Sequence, residues 1–225
     1  MHSNAATIEI AQPRLFTAGA VAVVNAYGIL LVVPLFIAIL VVSLIKFGFL
    51  TILIPFVAVA ATAYFLPFGL GNTYVSKLVR SLNPAARKSE DGFIVQLTLS
   101  PRVRSGFRAI LDDADDIGYL SFTESELLFQ GDSVKLSIPF AHIEQVRPQN
   151  IGLRGLFVYG RRIKVMASGL AQIESLEFAE RSSWLLPDSR RITRKLAERL
   201  ATSIRQGQNE GASPSTPQQT ANKNL

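Results

Sequence analysis

Four aspartates, Asp112, Asp113, Asp115 and Asp116, crowd into five positions, and an oxygen-rich cluster of this kind is what holds calcium or magnesium. The spacing lacks the alternating ligands and central glycine turn of a calcium loop. It reads instead as a solvated acidic turn ahead of a strand. His142 stands alone in the body of the chain, without the partners that a catalytic triad or a metal site needs. Ser182, Ser183 and Ser189 have no adjacent base motif, and neither a G-x-S-x-G elbow nor a glycine-rich phosphate loop occurs. Cysteine is absent, which excludes disulfides, thiolate zinc sites and a cysteine nucleophile. These residues point to a protein that is not an enzyme and takes no cofactor or metal.

The cations are a stronger signal. From Asp112 to Glu144 the chain carries eight acids against one base, Lys135, whereas from Arg147 to Lys164 it carries five bases and no acid. Arg147, Arg154, Arg161, Arg162 and Lys164, joined by Arg102 and Arg104, are therefore the candidate surface for anionic lipid headgroups or an acidic partner; near an anionic leaflet each such cation is worth roughly 1 kcal/mol. The bland alternative is a set of solvated strand ends. The acidic half and the apolar N-terminal third argue against nucleic acid as a partner.

That apolar third decides where such a surface would work. Between Arg14 and Lys46 lie 31 residues without a charged side chain, and between Lys46 and Lys77 another 30. Either run is long enough to cross a hydrocarbon core of roughly 30 Å. We expect a segment 1–15, a two-helix transmembrane hairpin over 16–68 that turns at Lys46, Phe47 and Gly48, and a juxtamembrane connector over 69–92. Pro34 and Pro55 would kink the spans. Small residues, Ala18, Ala22 and Ala26 facing Ala58 and Thr62, would let them pack closely, with Asn25 as interhelical glue. Lys77, Arg80, Arg87 and Lys88 follow the second run, so both termini face the cytoplasm of the cell (inner) membrane.

From Phe93 the pattern becomes short strands, expected at 93–99, 117–123, 127–130, 134–139, 143–147, 156–158, 162–166 and 175–178, with a tight hairpin at Gly131 and Asp132. Asp188 and Ser189 then cap an amphipathic helix whose buried stripe is Ile192, Leu196, Leu200 and Ile204. Trp184 reads as the core anchor beneath it. Beyond Gln206 the composition is that of a disordered tail, 207–225. The fold class is α+β, with one helix capping a small antiparallel β-barrel or sandwich.

Gly118 to Thr123, Glu126 to Gly131, Ile138 to Phe140 and Ile143 to Val146 follow the pattern G-x-L-x-x-T, L-x-F, I-P-x-x-x-I-x-x-V. In this the chain resembles GRAM and bacterial PH-like domains, and Gly152 to Leu156 and the closing helix fit as well. The resemblance covers about 93–206 and implies a PH-like barrel, often found after a transmembrane hairpin, that binds rather than catalyses. It implies a lipid-binding module at the bilayer, or else a scaffold or accessory subunit that docks membrane protein partners or copies of itself.

Overall fold

The computed structural model describes residues 5–17, 19–20, 23, 34, 36–41, 49–83, 92–103, 114–149, 161–170 and 172–212. Within these, a four-residue strand β1 (Thr7–Ile10) and a long helix α1 (Phe49–Leu82) precede β2 (Phe93–Ser100), β3 (Asp116–Phe122), β4 (Glu126–Gly131) and β5 (Val134–Pro139). A single turn of 3₁₀ helix, Phe140–His142, leads to β6 (Ile143–Gln149), β7 (Arg162–Ala167), β8 (Ser175–Glu180) and the helix α2 (Leu186–Ala212). All neighbouring strands pair antiparallel, in the order β1-β5-β4-β3-β2-β8-β7-β6. Two meanders, β2 to β5 and β6 to β8, thus join through β2 and β8 into one curled half-barrel with a C-terminal helix. This arrangement is consistent with a PH-like fold.

Period-two patterning builds the sheet. In β5, Val134, Leu136 and Ile138 are buried while Lys135 points to solvent. The inward set joins Val95, Leu97, Leu99, Leu120, Phe129, Val165, Leu176 and Phe178 in one core, into which α2 inserts Leu196 and Leu200. The helix begins at Leu186, before the expected cap, so Asp188 lies in its first turn, where its charge complements the helix dipole. It also continues to Ala212, past the expected end at Gln206. Gly207 lies in this extension, and a Cβ there would meet Phe140 Cβ at 3.0 Å, so close packing on the 3₁₀ turn accompanies the extra turns.

Two expectations change. Segment 1–15 contains β1, which pairs with β5 from Thr7 opposite Ser137 to Ile10 opposite Val134; four residues are too few to announce a strand by alternation. The acidic turn is not solvated where it is described. Asp115 and Asp116 are buried, whereas Asp112 and Asp113 lie outside the described residues. Asp115 accepts the Leu99 N–H at 2.8 Å. Asp116 accepts the N–H groups of Ile117 and Ser133 at 2.8 Å and of Val134 at 2.6 Å, which ties β3 to the β4–β5 turn. Gly131 makes room for that carboxylate, since a Cβ there would lie 2.1 Å from Asp116 Oδ2. In the same turn Asp132 accepts the N–H groups of Arg14, Leu15 and Phe16, each at 2.8 Å, and so fastens the segment after β1.

Of the expected hairpin, the turn at 46–48 and most of the first run fall outside the described residues, as does the strand expected at 156–158. Among the described residues no helix is long and apolar enough to cross a membrane; most side chains of 42–68 lie outside them.

Burial holds the Asp116 carboxyl above its ordinary value of 3.8, although the three backbone donors oppose the shift. A carboxyl raised by folding adds stability below its unfolded pKa and loses that contribution as pH rises through the folded value. Denaturant unfolding from neutral pH down toward 4 should therefore show the native chain gaining stability relative to Asp116→Asn, which does not titrate. At neutral pH the variant should itself be about 1–3 kcal/mol less stable, because its amide cannot accept all three bonds.

Candidate functional site

The expected connector is largely a docked helix. α1 runs without interruption to Leu82, and Val75 and Val79 pack with Phe16, Ala20, Ile94, Ala114, Ile117 and Tyr119 into a second apolar cluster on the outer face of β2 and β3. This explains why β2 is buried at all six of its interior positions, on both faces. Polar bonds fix the register. The Asn72 side chain, wholly buried, donates to the Ser183 carbonyl at 2.8 Å, and Ser76 donates to the Arg181 carbonyl at 3.1 Å. Asn83 donates to Gln130 Oε1 at 2.8 Å. The receiving segment is itself clamped: the Glu180 carboxylate accepts both hydroxyls of Ser182 and Ser183 at 2.6 Å and both of their N–H groups.

Trp184 is not a core anchor. Its ring lies on Gly69 of α1, where a Cβ would come 2.7 Å from Trp184 Cδ2 and 2.8 Å from its carbonyl oxygen. Its indole N–H donates to Thr73 Oγ1 at 3.0 Å. The side chain remains 49 % exposed. Gly69 was the available sequence signal, since a glycine in a long helix often marks the close approach of another group.

Of the seven candidate cations, Arg104 and Arg154 lie outside the described residues. Arg147 and Lys164 stand directly opposite each other on β6 and β7, on the outer face, Arg147 exposed and Lys164 half-buried. Arg161 is exposed at the start of β7. Arg162 is a correction to the expected surface. It is 2 % exposed, and its guanidinium lies 3.1 Å from Glu177 Oε2 and 3.5 Å from Thr98 Oγ1, so it is a buried structural ion pair. Arg102 is exposed beyond the far end of β2, whereas Arg162 is level with Gln96 through Ala179. β2 runs four residues on from the level of Arg162 to Ser100 before Arg102 is reached, whereas Arg161 precedes Arg162 at the other end of β7.

His142 sits in the 3₁₀ turn, where its carbonyl accepts the Ser168 N–H at 2.9 Å. Among the described residues no group of three or more acidic or histidine side chains could hold a metal ion. A shallow open cavity of about 290 Å³ on the outer face of β3, β4 and β5 is lined in part by Glu9, Asn83, Gln130 and Lys135. Ser137, which also lines it, donates its hydroxyl to the Glu126 carboxylate.

No family model matches the chain, and no curated protein does. Among solved structures the chain is similar to Vav1 inhibited by an allosteric inhibitor, at 15 % identity and a TM-score of 0.34, over 81 % of this chain and 45 % of that one. The chain thus spans less than half of that structure.

Two substitutions test the geometry of the site. Glu177→Ala would leave the Arg162 guanidinium buried without its carboxylate, and chemical unfolding should report a loss of about 3–5 kcal/mol. Asn72→Leu would leave the Ser183 carbonyl without its donor. It should cost about 1–3 kcal/mol and accelerate amide exchange at Asn72–Asn83 more than in β4 or β5.

Proposed function

We propose that this chain is a non-catalytic module, anchored in a membrane by a helical hairpin, whose PH-like half-barrel presents Arg147, Lys164 and Arg161 to anionic lipid headgroups. In this reading both termini are cytoplasmic. The observation that carries it is the direction in which α1 crosses the sheet. From its C-terminal end the helix meets β4 at Gln130, then Ile117 and Tyr119 of β3, then Ile94 of β2, and finally the exit of β8 at Arg181 and Ser183. It therefore runs across the strands, not along them. The strand order continues from β8 to β7 and β6, and the sheet curls away from the helix. In this reading the outer face of β7 and β6, with Lys164 and Arg147, turns toward the direction in which the first part of α1 leaves the domain.

Three further features support the anchor. Residues 49–68 of α1 precede the docked part and, at about 1.5 Å per residue, extend about 30 Å, the thickness of a hydrocarbon core. Leu53, Phe56 and Val57, spaced to share one helix face, are each about half exposed, and Ile37, Leu40 and Val41 of the first run repeat that spacing and exposure. Such apolar faces suit lipid or a partner helix better than water. The rings of Phe36 and Phe56 meet edge to face at 6.0 Å between centroids, a contact expected of two adjacent spans. The GRAM-like pattern at 118–146 agrees with a headgroup-binding role.

Amine-reactive labelling of Lys164 in the full chain tests the lipid-facing surface. In nanodiscs containing anionic lipid, labelling should slow several-fold at low salt relative to neutral nanodiscs, and recover as salt shortens the Debye length from about 30 Å to about 3 Å. Arg147→Glu should weaken the protection. Equal labelling in both lipids would overturn the headgroup reading and favour the scaffold role, in which the exposed helix faces dock partner spans.

A further inference from the structure

The loop between β8 and α2 is held by several side-chain hydrogen bonds, and it exposes two large apolar side chains. Glu180 clamps Ser182 and Ser183, Asn72 holds the Ser183 carbonyl, and Thr73 holds the Trp184 indole. Trp184 is nevertheless 49 % exposed and Leu185 41 %. These bonds also fix the height of the loop along α1. Trp184 contacts Gly69, the residue that directly follows the apolar run ending at Phe68. Arg190 and Arg191 are exposed in the next turns of α2, with Arg191 paired to Asp188 at 3.2 Å.

We propose that Trp184 and Leu185 insert into the headgroup layer beside α1 and form a second attachment of the half-barrel to the bilayer. The proposal rests on the membrane-anchored reading. An aromatic ring with a polar edge at the end of an apolar helical run is the chemistry that favours the membrane–water interface. The adjacent arginines suit the phosphates there. With α1 and this loop both engaged, the domain sits at a fixed height and tilt, so that the face carrying Lys164 and Arg147 is presented without a swinging linker.

The chain contains a single tryptophan, so the test needs no substitution. The full-length protein is reconstituted into phosphatidylcholine–phosphatidylglycerol vesicles, washed with alkaline carbonate, and its emission is quenched by nitroxide lipids labelled near the headgroup or deep in the acyl chain, and by aqueous iodide. Contact with Gly69 alone could shield the ring from iodide, so quenching by the lipid probes is the decisive readout. Headgroup-level nitroxide should quench several-fold more strongly than the deep label, and Leu185→Glu should reduce that quenching several-fold. Retention through the carbonate wash with no quenching by either lipid label would overturn this proposal and leave the anchor standing. Release by the wash would overturn both.

Discussion

The structure depends on the docking of one helical segment, 69–82, across the outer face of the sheet. Without it, Ile94, Ile117 and Tyr119 would lose the Val75 and Val79 side chains that cover them, and the 181–184 loop would lose the donors on Asn72 and Ser76. The apolar contact supplies most of the driving force, because burial of aliphatic surface is the dominant favourable term in folding. The buried polar bonds supply register, since a slip of α1 along the sheet would leave carbonyls and an amide unpaired inside the protein at a cost each time. The consequence is that the domain cannot be taken to begin at Phe93. A piece cut there would expose the outer face of β2 and β3 and lose the β1 pairing as well.

Most of the strands were legible because they alternate. Val134 to Pro139 has the expected bounds, and β2, β3, β4, β6, β7 and β8 differ from expectation by a residue or two at their ends, whereas β1 was not expected. The docked helix was harder to read. Val75, Leu78, Val79 and Leu82 announce a helix, but their spacing is the same whether the apolar stripe meets lipid or a sheet. The discriminating residues are Asn72 and Ser76, which are buried and donate to carbonyls more than 100 positions away in sequence. No local pattern predicts partners at that distance. For the same reason Asp115 and Asp116 read as solvated: acids are seldom buried, and their backbone donors come from Leu99 and from the β4–β5 turn.

The basic stretch was legible as composition but not as a surface. Arg162 and Lys164 share a strand face by simple alternation, so sequence alone assigns them the same role. Tertiary pairing separates them. Glu177 on β8 takes Arg162 at 3.1 Å, which converts one member of the expected site into part of the fold. Arg102 was grouped with the others by charge and by its place after the first expected strand, and the register sets it past the end of β2 that lies away from Arg161.

What remains is an unusual pair. Like charges directly across two strands are unfavourable, and Arg147 faces Lys164 on a hairpin where an acid at either position would relieve the repulsion. The nearest acid in that row, Glu177, pairs with Lys164 in register but gives its carboxylate oxygen to Arg162. Under the proposed headgroup role, the two cations would converge on one external anion. Salt in solution would mask the repulsion in part, and a headgroup phosphate would remove it at close range. The buried Arg162–Glu177 pair lies beside them on the same outer face, so one Glu177 oxygen is already engaged by Arg162 next to Lys164.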